Sequence, residues 1–217
     1  MMIKAILFDL DGTLLDTGPG IFSCINYMID ELKLRMLDQE ELESFIGPPL
    51  KSKLKSTFDL TDEDAEEKTS FFRTTYAGGY IFDANHYEGM FETLRALRSK
   101  GYILGVATYK REDMALELLK NKDLFDKFDV IHGSDKEGLL TKADIVSKCI
   151  AEMGVKPDEV IMIGDSENDA IGAMNAGAKF LGVLYGYGFK TKQDVDKFPN
   201  IGCVDDCRNI VDWVINS

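Results

Sequence analysis

A chain of 217 residues, 45% hydrophobic and 29% charged, has room for one large domain or for one domain with a smaller insert. Asp and Glu outnumber Lys and Arg 38 to 25, a formal net charge of −13 with no basic run, which argues against nucleic acid or an anionic membrane surface as partners. No apolar run reaches membrane-spanning length, no charged-then-apolar leader opens the chain, and Cys24, Cys149, Cys203 and Cys207 form no Cys-x-x-Cys pair; we expect a cytoplasmic protein with reduced thiols, Cys149 and Cys207 serving as small buried hydrophobes.

Residues 3–8 are the first apolar run and predict a buried strand. It ends at Asp9-Leu10-Asp11-Gly12-Thr13. Two carboxylates on alternate positions point the same way if a strand continues, and the glycine lets the backbone turn aside. Carboxylates so placed repel one another unless a cation lies between them or one is protonated, so the strand end is a chemical site. The bland alternative is a strand closing in an Asp-Gly turn.

About eighty residues separate this strand from the next, far more than a simple crossover needs. Thr61-Asp62-Glu63-Asp64 has the form of a helix start, Gly78-Gly79 of a helix end, and Gly47-Pro48-Pro49 divides an earlier pair. We read 16–82 as a small helical insert, with 1–15 and 83–217 forming an α/β core. In that core, apolar runs at 102–107, 128–131, 160–163 and 180–184 alternate with helical patterns at 111–120, 141–153 and 167–177. The alternation predicts a mainly parallel sheet with helices on both faces. Ala143, Val146, Ile150 and Met153 mark one helix's buried face, and Cys207, Ile210, Val211 and Val214 mark that of the closing helix.

Ligands of such sheets bind beyond the carboxyl ends of the strands. Here those ends carry Asp9, Thr108 and Gly164-Asp165-Ser166-Glu167-Asn168-Asp169, while Lys142 opens the helix before the last of these strands and reaches the same edge. Each has a dull explanation as a helix cap or a solvated lysine. Their joint occurrence in this order does not.

With these residues in hand, the chain resembles the haloacid dehalogenase superfamily: Asp9-Leu10-Asp11-Gly12-Thr13, Thr108, Lys142 and the 164–169 run match its four ordered motifs across essentially the whole chain. The helical insert after the first motif resembles the cap of the subfamily that contains phosphoglycolate phosphatase and β-phosphoglucomutase. Residues 45–50 and 182–188 are similar to segments on the phosphoglycolate-phosphatase-like side. The resemblance implies a Rossmann-like three-layer core with an all-α cap, and a Mg²⁺-dependent phosphatase acting on a small phosphorylated metabolite.

In that implied chemistry Asp9 attacks phosphorus and becomes an aspartyl phosphate, which water hydrolyses. A carboxylate approaching a phosphate dianion at ~4 Å meets roughly 8 kcal/mol of repulsion at an effective dielectric near 20, hence the cation. Asp9, the Asp11 backbone carbonyl and Asp165 would hold Mg²⁺, with Asp169 bracing them. Asp11 would protonate the leaving group and later activate water. Thr108 and the Tyr109 amide would bind phosphoryl oxygens, Lys142 would neutralise the nucleophile–phosphate pair, and Gly12 would let the backbone approach.

Three rivals are weaker. A carbon–halogen hydrolase has no use for Asp11 or the acidic 164–169 run. A β-phosphoglucomutase-type phosphomutase places a basic cap residue just after Gly47, where this chain has Pro48-Pro49. A phospho-accepting signalling switch carries adjacent acids on its first strand and runs to about half this length. Substrate contacts are sought in the 45–50 turn, in Arg73 and in Lys51, Lys53 and Lys55, of which Lys51 and Lys55 share a helix face that is more simply read as solvated. Tyr109 stands where the family favours a small polar residue, and Glu88-Gly89 where relatives carry Pro-Gly, which would leave a less stiff hinge. His86 and His132 receive no role. Phosphoglycolate, a 5′-nucleotide and pyrophosphate are all compatible substrates, and a monomer and a dimer are both compatible assemblies.

Overall fold

The computed structural model describes residues 2–215. In chain order it runs β1 (Ala5–Phe8), β2 (Leu15–Asp16), α1 (Gly18–Leu32), α2 (Gln39–Glu43), α3 (Leu50–Phe58), α4 (Asp62–Ala77), β3 (Asn85–His86), α5 (Met90–Ser99), β4 (Ile103–Arg111), α6 (Glu112–Asn121), β5 (Val130–Ser134), α7 (Lys142–Met153), β6 (Val160–Gly164), α8 (Glu167–Ala176), β7 (Lys179–Val183), α9 (Lys192–Val195), β8 (Gly202–Val204) and α10 (Ile210–Ile215). Six strands form one parallel sheet in the order β5-β4-β1-β6-β7-β8.

Strand β1 shows why the sheet is a middle layer. Ile6 and Phe8 enter one hydrophobic core, while Ala5 and Leu7 enter a second core built with Ile145, Val146 and Cys149 of α7 and Ala170 and Ala173 of α8. Both faces of a crossover-connected sheet are covered, so its central strand reads as a continuous apolar run rather than as an alternation. β1 also lies at the point where the connections diverge, with β4 on one side and β6 on the other. That crevice is where an open α/β sheet binds ligands.

Three details differ from the sequence expectation. A sixth strand, β8, adds to the edge; at three residues it is too short to leave a periodic signal. β4 continues past Ala107 to Arg111, but its register with β5 shifts between Ala107 and Arg111, so Thr108, Tyr109 and Lys110 lie in the irregular stretch. In α7 the fully buried face is Ile145, Val146, Cys149 and Ile150, with Ala143 and Met153 only partly covered, because the helix packs against α8 as well as against β4 and β5.

Residues between β2 and β3, which pair as an antiparallel two-stranded ribbon, fold as α1 to α4 and a short 3₁₀ turn at Tyr80–Phe82. Thr61 caps α4 by accepting the Asp64 N–H, and α4 packs on α1 and α3. All four cysteines are free. Burial pushes the Cys24 and Cys149 thiols up to about 12, which keeps them protonated and unreactive. Among the described residues no helix is long and apolar enough to cross a membrane.

Candidate active site

Asp9 follows Phe8 directly, and its amide still bonds to the Ile163 carbonyl at 2.9 Å. Alternation along β1 puts residues 5, 7 and 9 on the side of α7 and α8. The first residue of α7 and the first turn of α8 meet it there. Lys142 Nζ lies 2.7 Å from Asp9 Oδ1 and 2.7 Å from Asp169 Oδ1. Three contacts place that lysine. Thr141 caps α7, the Tyr109 hydroxyl accepts the Lys142 N–H at 2.9 Å, and the lysine stem lies against Gly172 of α8, where a side chain would collide with it.

Asp165 closes the other side. Its Oδ2 accepts the amides of Tyr187 at 2.7 Å and Gly188 at 3.1 Å, while its buried Oδ1 has no hydrogen-bond partner. Asp169 Oδ2 accepts the Ser166 amide and hydroxyl, while its buried Oδ1 likewise has no aligned hydrogen-bond donor but does lie 2.7 Å from Lys142 Nζ as an ion pair. Asp9, Asp165 and Asp169 each offer one oxygen within 4.8 Å of the others. Gly12, at φ 78°, passes so close that a side chain would strike the Asp165 carboxylate.

The electrostatics of this cluster are unresolved by its own residues. Asp9, Lys142, Asp165 and Asp169 are each at most 3% exposed. Burial raises the affinity of Asp9 for a proton, Lys142 opposes this, and Asp169, Asp11 and Asp165 reinforce it. Asp165 is raised by burial and then by Asp169, against the two amides it accepts. Burial also works against the charge on Lys142, yet Asp169 and Asp9 outweigh it and hold the ammonium protonated. Three carboxylates and one ammonium leave excess negative charge in a dry site. An unpartnered carboxylate oxygen and an all-oxygen donor set suit a hard divalent cation.

Asp11 does not turn its side chain toward these three. Its Oδ1 accepts from Thr17 Oγ1 at 2.7 Å and lies 2.9 Å from Lys110 Nζ. Burial disfavours the charge on Lys110, but Asp11 and then Tyr76 hold it protonated. Neither Lys110 nor Thr17 was singled out from the sequence. Lys110 had a signal, since it stands two residues beyond Thr108 on a strand and so shares its side. Thr17 had none beyond its place before a helix, and Tyr187 and Gly188 none beyond their place in the family-like segment 182–188, because a backbone donor carries no residue-type signature of its own.

Thr108 is buried, and its hydroxyl accepts the Lys110 amide at 3.1 Å. Tyr109 contributes its hydroxyl to Lys142 and its ring to that ammonium, 5.6 Å from the centroid. The lysines of α3 divide: Lys51 pairs with Glu66, Lys55 with Asp62, and Lys53 lies over the Phe45 ring. His86 meets the Lys122 carbonyl, and His132 sits between Glu112 and Glu152, so neither is hydrogen-bonded to Asp9, Asp11, Asp165 or Asp169.

On the Asp11 side a cavity of about 210 Å³ opens between the helical segment and the core. Its wall includes Asp11, Tyr109 and Lys110 from the core and Gly47, Pro48 and Lys51 from the helices.

Buried carboxylates at the switch point of a parallel sheet, one bound to a lysine and one with a bare oxygen, form an oxygen-donor cluster that could hold a divalent cation. The chain belongs to the haloacid dehalogenase-like hydrolase family, whose pattern it matches over residues 6–183. It is 33% identical to a 5′-nucleotidase of Pseudomonas aeruginosa over 184 residues, covering 84% of this chain and 83% of that protein. Identity is 33% to a phosphoglycolate phosphatase of Nitrosospira multiformis, covering 85% of each. It is 32% to a pyrophosphatase of Halalkalibacterium halodurans, covering 91% of this chain and 90% of that one. A crystal structure described as a predicted phosphatase, from Clostridium acetobutylicum, superposes with a TM-score of 0.93 at 29% identity over 100% of both chains. The protein is a phosphatase of this family, a hydrolase acting on phosphate esters.

Proposed function

We propose that the protein hydrolyses small phosphate monoesters through an aspartyl phosphate on Asp9, with Mg²⁺ held by Asp9, the Asp11 backbone carbonyl and Asp165. The observation that carries this is the bare Oδ1 of buried Asp165 beside Asp9, in a cluster whose negative charge one lysine does not balance. Asp169, hydrogen-bonded through Oδ2 to Ser166 and ion-paired through Oδ1 with Lys142, braces that lysine and the loop at Ser166. When bound, Mg²⁺ would screen the phosphoryl oxygens from the nucleophile.

An Asp9 oxygen forms a bond to phosphorus as the bond from phosphorus to the leaving oxygen breaks, and the electron pair goes to that oxygen. Asp11 delivers a proton to it, then accepts one from the water that attacks the phosphoenzyme and releases phosphate. Both contacts of Asp11 fall on Oδ1, which leaves Oδ2 for this exchange. The Thr108 hydroxyl, the Tyr109 amide and Lys142 hold phosphoryl oxygens, and Gly12 keeps the backbone close. The segment 16–82 acts as a cap on the 1–15 and 83–217 core and excludes water when closed. Hydrolysis is favoured over phosphomutase activity because Pro48 and Pro49, which line the cavity, offer no basic group.

Chelation with EDTA is expected to abolish phosphate release, and added Mg²⁺ to restore it. Undiminished release after chelation would remove the metal from this scheme. A phosphometabolite panel read by phosphate release tests the activity itself, and silence across the panel would sink it.

A further inference from the structure

The cavity beside Asp11 lies where the leaving group of a phosphoryl centre at Asp9 must go. Four cationic side chains reach its wall: Lys51 and Arg73 from the helical segment, Lys110 and Arg111 from β4. Three of them are already paired: Lys51 with Glu66 at 2.6 Å, Lys110 with Asp11 at 2.9 Å, and Arg111 with Asp113 at 2.6 Å.

Arg73 is the exception. Among the described residues no carboxylate lies within 4.0 Å of it, and its one hydrogen bond is donated to the Lys136 carbonyl at 3.3 Å. Burial and then the like charge of Arg111 hold its guanidinium below the ordinary arginine value, against the opposing pull of Glu66, Asp113 and Asp135, none of which pairs with it. A half-buried guanidinium that faces a second cation and has no acid within ion-pair distance keeps its donors free for a bound anion. The donors of its planar fork match the oxygens of a carboxylate or phosphoryl group.

Building on the phosphatase reading above, we propose that this cavity takes a small leaving group carrying its own negative charge, a carboxylate or a second phosphoryl group, and that Arg73 binds that charge. Arg111 adds to the field, and Lys110, tied to Asp11, sits where the anion and the departing oxygen meet. The substrate is then a phosphorylated hydroxy acid or a diphosphate, and an ester of a neutral alcohol of the same size is a poor one. A 5′-nucleotide, whose nucleoside leaving group is uncharged, belongs with the poor ones.

The matched pair 2-phosphoglycolate and 2-hydroxyethyl phosphate differs by a carboxylate against a hydroxymethyl group, and inorganic pyrophosphate supplies the phosphoryl alternative. With Mg²⁺ present, kcat/KM for phosphoglycolate or pyrophosphate should exceed that for 2-hydroxyethyl phosphate by about tenfold or more, the usual worth of a charged hydrogen-bonded contact. Arg73→Ala should shrink that ratio about tenfold or more, and Arg73→Lys should recover part of it. A residue that only ties the cap to the Lys136 loop would change all three substrates alike and leave the ratio intact. Arg73→Gln, closer in shape, serves the same comparison if truncation unfolds the protein.

A greater loss with phosphoglycolate assigns the carboxylate as the bound anion, and a greater loss with pyrophosphate assigns the phosphoryl group. An unchanged ratio in Arg73→Ala overturns the proposal, as does a wild-type enzyme that prefers the neutral ester. If the wild-type protein with Mg²⁺ hydrolyses none of the three yet releases phosphate from another ester of the panel, this inference falls and the phosphatase scheme stands; silence on every ester sinks both.

Discussion

Asp9→Asn is expected to lower turnover by at least about 10⁴-fold while the protein stays folded. The amide keeps the shape of the carboxylate and an oxygen for Lys142 Nζ, which now lies 2.7 Å away. It does not form the covalent adduct. Stability should hold or rise, because burial and three neighbouring carboxylates together outweigh Lys142 and work against a charge at this position. Phosphate release under saturating substrate and a thermal melt of the same sample check both halves. Full turnover by the variant would remove Asp9 as nucleophile, and a collapsed melt would recast it as a structural residue.

Asp11→Asn separates the two chemical steps. With an activated ester, whose leaving group needs no proton, Asp9 should still be phosphorylated. Hydrolysis of that adduct then lacks its base and slows by roughly 10²–10⁴-fold. Phosphoenzyme therefore accumulates, visible as an added phosphoryl mass on the intact protein after a brief incubation. The Thr17 hydroxyl can still donate to the new amide oxygen, but buried Lys110 loses its ion-pair partner, so a lower melting temperature is also expected. A variant that turns over at the wild-type rate, with no adduct, would deny Asp11 both proton transfers.

The elements most readable from the residues were those whose signal is local. An unbroken apolar run ending at Asp9 marked the central strand, because a strand covered on both faces needs no polar alternation. Thr61 and Gly78 bounded α4, because a helix end must satisfy its own backbone groups. β8 escaped notice because three residues carry no period, and its place is set by pairing with β7. Tyr109 illustrates a different failure. Read along the chain it was a departure from the small polar residue the family favours; in the fold its hydroxyl accepts the amide of Lys142, 33 residues away.

The chain's own order of residues specified which chemical groups are available and near which strand ends and helix starts they fall. It did so because backbone periodicity and capping act over a few residues. Parallel packing of β4, β1 and β6 decided which of those groups touch. It brought Lys142 to Asp9 across 133 positions, turned Asp11 away toward Lys110, and left Asp165 Oδ1 bare and Arg73 without an ion-paired acid among the described residues. Such contacts follow from long-range burial of apolar faces, which no local pattern of residues encodes.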